Sequence, residues 1–118
     1  MDRRIQVVLA RLESGISTRV DINDLAREVN LSASRLRHLF KNEIGQTPAQ
    51  YLRQLRMVRA ELLLRTTFLT VKEVSNRVGI TNSSHFVREF RKLHGVSPTV
   101  FRASLVQESV RRSRKIST

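Results

Sequence analysis

The sequence predicts an all-α protein of seven helices, arranged as two tandem helix-turn-helix subdomains that a long connecting helix joins. Three observations lead to this prediction. Helix-breaking residues are scarce, with 2 Pro and 4 Gly in 118 residues, whereas the frequent Leu, Arg, Ala and Glu favour helices. Apolar side chains recur every three or four positions, as they do on the buried face of a helix. The pattern of the first half also returns in the second half.

The first two helices are predicted from apolar spacing and from capping residues. The first covers residues 2–13 and ends at Ser14-Gly15, and its buried positions are Ile5, Val8, Leu9 and Leu12. Asp21 is the predicted N-cap of the second helix, because its carboxylate can accept a backbone N–H there. Asp24 then stands in the first turn, where the helix dipole favours a negative charge. The buried stripe of this helix is Ile22, Leu25, Ala26 and Val29.

A tight turn separates the second helix from the third. Asn30 tolerates the left-handed conformation, so the turn is placed there. Ser32 caps the third helix, which ends at Gly45. The side chains predicted to point inward are Leu36, Leu39, Phe40 and Ile44.

The fourth helix is the connecting helix and covers residues 48–66. Thr47 is its predicted N-cap, Pro48 occupies the favoured first position, and Gln50 completes a capping box. The side chains predicted to point inward are Tyr51, Leu55, Val58 and Leu62.

The remaining helices repeat this order. Thr70 and Glu73 form a capping box for the fifth helix, Gly79 makes the turn, and Thr81 or Asn82 caps the sixth helix. The stripe of the fifth helix is Val71, Val74, Ser75 and Val78, and the inward side chains of the sixth are Phe86, Phe90 and Leu93. Gly95 ends the sixth helix and Ser97-Pro98 opens the seventh. The last dozen residues have no apolar period, which predicts a basic flexible tail.

An internal repeat connects these elements. Residues 22–31 match residues 71–80 with a shift of 49, and residues 36–51 match residues 86–101 with a shift of 50. The turn of the second copy therefore holds one additional residue. We predict a first subdomain over residues 1–47, the connecting helix over 48–66, a second subdomain over 67–106 and the tail over 107–118.

The net charge of +12 favours a polyanionic partner, above all nucleic acid. Residues 1–47 carry eight basic and six acidic side chains, whereas residues 48–118 carry fourteen and four. The chain has no Cys, which excludes disulfides, Cys zinc sites and Cys nucleophiles. The sequence contains no apolar run that could span a membrane, no metal-binding spacing of its 3 His and no catalytic motif. We therefore expect neither an enzyme nor a cofactor.

The exposed faces of the third and sixth helices are the candidate DNA-binding sites, with the helices placed at about 33–44 and 82–94. In the first subdomain the candidates are Ser34, Arg35, Arg37, His38 and Lys41, and in the second they are Ser83, Ser84, His85, Val87, Arg88 and Arg91. Arg37 and Arg88 suit bidentate contacts to guanine, and Val87 suits a thymine methyl group. The Ser and His side chains can contact base edges or phosphates.

At these residues the chain resembles the AraC/XylS-type bacterial transcription regulators over about residues 3–105. The most specific stretches are 36–41 ending at Gly45, 78–91 with the turn and sixth helix, and 95–102 with Ser97-Pro98. The resemblance implies that both recognition helices enter successive major-groove segments of promoter or operator DNA. It also implies that Lys41 and Arg91 contact phosphates, and that an activator of this type contacts RNA polymerase.

Three positions depart from the pattern of that family. Ile80 stands where an aromatic residue usually follows the turn glycine, His85 replaces a frequent Tyr, and Ser75 replaces the usual small Ala. The first two changes bear on packing and base choice and leave the predicted fold unchanged. Many members also have an effector or dimerisation domain, which 118 residues do not accommodate, so the chain is either a stand-alone member or a DNA-binding portion.

One alternative belongs to a different class, namely an interaction module whose basic helices bind RNA or a protein. RNA recognition usually needs exposed aromatic side chains for stacking. Here the 5 Phe and 1 Tyr mostly fall on stripes that are predicted to face inward. Duplex DNA is therefore the expected partner, and we expect a cytoplasmic, nucleoid-associated protein without a membrane partner.

Overall fold

A computed structural model describes residues 1–116 of the chain. All regular structure in this range is helical, in seven helices. They are α1 (Arg3–Ser14), α2 (Ile22–Glu28), α3 (Ala33–Ile44), α4 (Pro48–Thr66), α5 (Val71–Arg77), α6 (Ser83–His94) and α7 (Pro98–Ile116). The predicted all-α class and helix number are confirmed. Within the same range, none of these helices is both long and apolar enough to traverse a lipid bilayer.

The internal repeat is reproduced in the helix lengths. Helices α2 and α5 have 7 residues each, α3 and α6 have 12, and α4 and α7 have 19. Four residues, 29–32, separate α2 from α3, whereas five residues, 78–82, separate α5 from α6. The additional residue of the second copy therefore lies in the turn and leaves the helices unchanged.

The chain divides into two compact units, residues 1–58 and residues 59 onward. In the first unit, α1, α2, α3 and the first half of α4 enclose an apolar core. Its buried members are Ile5, Val8, Leu12, Leu25, Ala26, Val29, Leu36, Phe40 and Leu52. Phe40 of α3 meets Tyr51 of α4 edge to face, with the ring centroids 5.8 Å apart. This core holds α3 by one side only, so its other side faces solvent.

The second unit buries the corresponding positions, with aromatic side chains in a larger share. Its buried residues include Ala60, Leu64, Val74, Ser75, Val78, Phe86 and Phe90. The Phe90 ring contacts Phe86, His94 and Phe101, with centroids 5.9, 4.1 and 5.4 Å away. This cluster fixes α6 against α7 and leaves the opposite side of α6 exposed.

The predicted caps are confirmed where the structure resolves their hydrogen bonds. Asp21 caps α2 and Ser32 caps α3, each accepting a backbone N–H of the first turn. Thr70 and Glu73 form the reciprocal capping box of α5. Of the two alternatives for α6, Asn82 is the N-cap. The Thr47–Gln50 box of α4 is also present, with both bonds made.

The predicted inward stripe of α4 is wrong at two of its four positions. The side chains of Val58 and Leu62 are 60% and 48% exposed, and Tyr51 and Leu55 are half-buried. The buried residues of α4 are Leu52, Met57, Ala60 and Leu64. The reason is that the two halves of α4 pack in different units, so the helix does not bury one continuous stripe.

The predicted inward position of Leu93 is also wrong, because its side chain is 59% exposed. The next residue, His94, takes the inward position, with its ring against Phe90 and Phe101. A histidine ring can pack against aromatic rings in a core. The spacing of apolar residues does not reveal such a position, because histidine is counted as polar.

Residues 107–118 were predicted to be a basic flexible tail without a helical pattern, but residues 107–116 continue α7 as a helix. No Pro or Gly interrupts the chain after Pro98, and Arg and Glu are good helix formers. Glu108 and Arg112 also form an i,i+4 ion pair at 2.9 Å. Residues 117 and 118 lie outside the described residues.

Candidate nucleic-acid interface

Each unit contains a helix-turn-helix whose turn requires a left-handed residue. The residues are Asn30 with φ of 59° and Gly79 with φ of 84°, as predicted. The N–H of Leu31 donates to the carbonyl of Ala26 at 2.9 Å, and the N–H of Ile80 donates to Ser75 in the same way. A left-handed residue with a hydrogen bond back across it ends a helix sharply. The chain therefore turns at once into α3 or α6.

The small residues Ala26 and Ser75 lie where the two helices of each unit come close, and both side chains are buried. The Ser75 hydroxyl donates a hydrogen bond to the carbonyl of Ile80. A buried hydroxyl without a partner would destabilise the fold, and this bond removes that cost. Serine in place of the usual alanine thus adds a second bond across the turn of the longer copy.

The exposed face of α3 carries all five residues predicted for the first subdomain. Ser34, Arg35, Arg37, His38 and Lys41 are exposed. Leu36 and Phe40, on the other side of the helix, are completely buried. Alternation at helical spacing therefore turns every polar candidate of α3 towards solvent.

The face of α6 carries the six residues predicted for the second subdomain, with two differences in exposure. The side chains of Ser84, His85, Arg88 and Arg91 are exposed, whereas Ser83 and Val87 are half-buried. Val87 replaces the long Arg37 of the first copy, so this face has an apolar spot between polar groups. The two faces thus share their geometry and differ in their chemistry.

The cationic side chains of both faces are free of ion pairs within residues 1–116. No salt bridge there includes Arg35, Arg37, Lys41, Arg88 or Arg91, although several other arginines are paired. The acidic partners are used elsewhere, in the pairs Asp2–Arg4, Glu28–Arg11, Asp24–Arg27, Glu61–Arg65 and Glu108–Arg112. The two helices therefore present positive charge that the protein itself does not neutralise.

Of the ten carboxylates, only Glu43 and Glu89 belong to α3 or α6. Both oxygens of Glu43 lie 3.1 Å from the backbone N–H of Asp2, at the start of α1. Glu89 is half-buried. Neither helix therefore places a fully exposed, unbound carboxylate beside its cations.

Asn42 is a candidate that the sequence reasoning missed. Its Nδ2 lies 3.3 Å from Nε2 of His38, one helical turn earlier. An amide nitrogen only donates, so this contact is a hydrogen bond in the His38 tautomer whose Nε2 accepts. The i,i+4 spacing of an amide and an imidazole was the available signal. Asn42 therefore lies where it can orient the His38 ring on the exposed face of α3.

Two other arginines hold the scaffold. Nε and Nη2 of Arg56 donate to the carbonyls of Ile16 and Thr18, and burial lowers the pKa of this guanidinium. Arg102 donates to the carbonyls of Leu64, Thr67 and Leu69. Each arginine fastens the segment that leads into its helix-turn-helix.

The two helix-turn-helix units are similar to those of known proteins. The family model described as a helix-turn-helix domain matches residues 25–104. The chain is 35% identical over 104 residues to the arabinose operon regulatory protein of Escherichia coli strain K12. The matched region covers 87% of this chain and 36% of that protein. It spans between 26% and 38% of the length of such curated relatives.

Solved structures of transcription regulators have the same fold. The DNA-binding domain of the global transcriptional factor AdpA, in complex with a target DNA, is 28% identical with a TM-score of 0.80, covering 86% of this chain and 91% of that one. An AraC-type regulator of Chromobacterium violaceum is 27% identical, also with a TM-score of 0.80, covering 89% and 94%. The chain belongs to the AraC-type family of helix-turn-helix domains of transcription regulators.

Proposed function

We propose that this chain binds double-stranded promoter or operator DNA sequence-specifically, with α3 and α6 as its recognition helices in successive major-groove segments. The observation that carries the proposal is the pair of exposed helix faces whose cations have no acidic partner within residues 1–116. Phosphates and guanine edges are the acceptors that such faces fit.

The proposed contacts divide into two kinds. Arg37 and Arg88 are assigned to bidentate hydrogen bonds with guanine, and Val87 to the methyl group of thymine. Lys41 and Arg91 are assigned to phosphates. The remaining candidates contact base edges or phosphates, and they are Ser34, Arg35, His38, Ser83, Ser84 and His85. Because position 37 is Arg and the matching position 87 is Val, the two helices should prefer different half-sites.

The first test is competition among duplex DNA, structured RNA and single-stranded DNA at equal phosphate concentration, after selection of a binding site from a random duplex library. We expect the selected duplex to win and to show two short protected motifs about one helical turn apart. Preferential binding of RNA would support the alternative of an RNA-binding module. Equal binding of selected and random duplexes would contradict sequence recognition.

The second test separates base contacts from phosphate contacts. Arg88→Ala should cost about 1–3 kcal/mol at the selected site and relax the preference at one base position. Lys41→Ala should weaken all duplexes alike and lower the salt slope by about one. Arg11→Ala is the control, because it removes the same charge from an arginine that is paired with Glu28. A changed base preference in Lys41→Ala would refute its assignment.

The proposal extends to the role of this chain in transcription. Curated relatives are longer than this chain and are named as regulators and activators, which supports an effector or dimerisation domain as a partner. We propose a cytoplasmic, nucleoid-associated activator that contacts RNA polymerase. Transcription in vitro from a promoter with the selected site tests this role, and repression there would contradict activation.

A further inference from the structure

Helix α1 brings an additional arginine to the recognition face of the first unit. Arg4 of α1 lines an open recess of about 330 Å³ together with Leu31 of the turn and Ser34, Arg35, His38 and Leu39 of α3. Three of these residues are candidates for DNA contact already. The recess therefore continues the face of α3 sideways onto α1, outside the helix-turn-helix.

The chemistry of the recess suits an anion. Its lining contains two guanidinium groups, an imidazole and a hydroxyl group, and no carboxylate. Leu31 and Leu39, both half-buried, add an apolar surface from which water is more easily displaced. Arg35 has no ion-pair partner within residues 1–116. Guanidinium groups bind phosphate oxygens through two parallel N–H bonds.

Arg4 is held in place by its neighbour Asp2. Nε and Nη2 of Arg4 donate to the two Asp2 oxygens at 3.1 and 2.8 Å. These bonds do not use the N–H groups of Nη1. The side chain is thus fixed beside the recess while part of its donor capacity stays available.

We infer that this recess binds a backbone phosphate of DNA, and that Arg4 is a DNA contact outside both helix-turn-helix motifs. The inference rests on the proposed function, because it places the phosphate next to a groove that α3 occupies. Asp2 reduces the net positive charge near the recess, and an asparagine in its place would keep an oxygen that accepts a hydrogen bond from Arg4.

Arg4→Gln tests the inference, with Arg3→Gln as the matched control. Arg3 is the adjacent exposed residue of the same helix and does not line the recess. Because glutamine cannot neutralise the phosphate, Arg4→Gln should weaken selected and random duplexes alike, by about eightfold at 0.1 M salt, with a salt slope lower by about 0.9. Equal effects of the two substitutions, or a changed base preference in Arg4→Gln, would overturn it.

Asp2→Asn is the second variant, because asparagine also caps a helix well and α1 should remain folded. Removal of the carboxylate should tighten duplex binding, and unchanged or weaker binding would count against the inference. Titration with inorganic phosphate distinguishes a site for a free anion from a site for a phosphate of the DNA backbone. Saturation below millimolar phosphate without competition from duplex DNA would refute a DNA site.

The two proposals fail in different ways. If wild-type protein does not discriminate between selected and random duplexes, sequence recognition fails, but the salt slope of Arg4→Gln on random duplex still tests the recess. If discrimination is normal and Arg4→Gln matches Arg3→Gln, only the recess is refuted.

Discussion

Helix α4 offers a matched pair of leucines that tests which of its faces supports the second unit. Leu64 is 3% exposed and Leu62 is 48% exposed, although both lie on the same helix and in the same unit. Truncation to alanine removes three carbon atoms from either side chain. The two substitutions therefore differ in burial and not in chemistry.

For Leu64→Ala, three buried carbons at about 0.8 kcal/mol each correspond to about 2.4 kcal/mol of transfer free energy. The cavity that remains adds to this loss, so the total should lie between about 2 and 5 kcal/mol. Leu62→Ala should change the free energy of unfolding by less than about 0.5 kcal/mol, because the site is exposed and alanine favours helices.

Urea unfolding followed by circular dichroism measures both variants, and comparable slopes with denaturant show that the same transition is compared. A loss in Leu62→Ala as large as in Leu64→Ala would refute the burial argument. A loss below about 1 kcal/mol in Leu64→Ala would refute it as well.

Three further predictions concern single interactions. Arg102→Met should destabilise the fold by about 1.5–3 kcal/mol in urea unfolding, because three carbonyls lose a charged donor; an unchanged midpoint would contradict this. Ser75→Ala should lower the free energy of unfolding by about 1 kcal/mol, because the carbonyl of Ile80 loses a hydrogen-bond donor. Ser75→Val should lower it further, because the larger side chain does not fit this fully buried site. A stabilised valine variant would disprove the packing argument. The hydrogen bond from Arg4 lowers the pKa of Asp2 from 3.8 to about 2. The ionised Asp2 carboxylate therefore stabilises the fold above pH 3.8, and this stabilisation is lost as the pH falls towards 2. Asp2→Asn should remove that part of the pH dependence, and an acid titration identical to wild type would exclude it.

Local features of the sequence predicted most of the helices. Asp21, Ser32 and Thr70 each begin a helix as N-caps, and Asn30 and Gly79 adopt the predicted left-handed turns. Capping and turn geometry depend on atoms within a few residues of each other, so their signals lie in the local sequence. The exposure of the α3 face also followed from the local sequence, because α3 lies within one unit and buries one stripe, which includes Leu36 and Phe40.

The errors occurred where burial depends on distant partners. The stripe of α4 was predicted as continuous, whereas Val58 and Leu62 are exposed. His94 occupies the inward position that was predicted for Leu93, because its ring packs against Phe90 and Phe101. The helical course of residues 107–116 was missed because no apolar stripe marks it, although helix propensity and one ion pair support it.

The order of the helices, the tandem repeat and the charged faces of α3 and α6 were determined by the sequence alone, because they depend on periodicity and on local caps. Only the tertiary structure showed that Arg4 and Arg35 line one recess, that Nδ2 of Asn42 lies 3.3 Å from Nε2 of His38, and that the paired acidic side chains bind partners other than the cations of the exposed α3 and α6 faces. These relations join residues on different helices or depend on side-chain geometry. Packing and side-chain rotamers decide such distances, and sequence spacing at most permits them, as the i,i+4 spacing of His38 and Asn42 does.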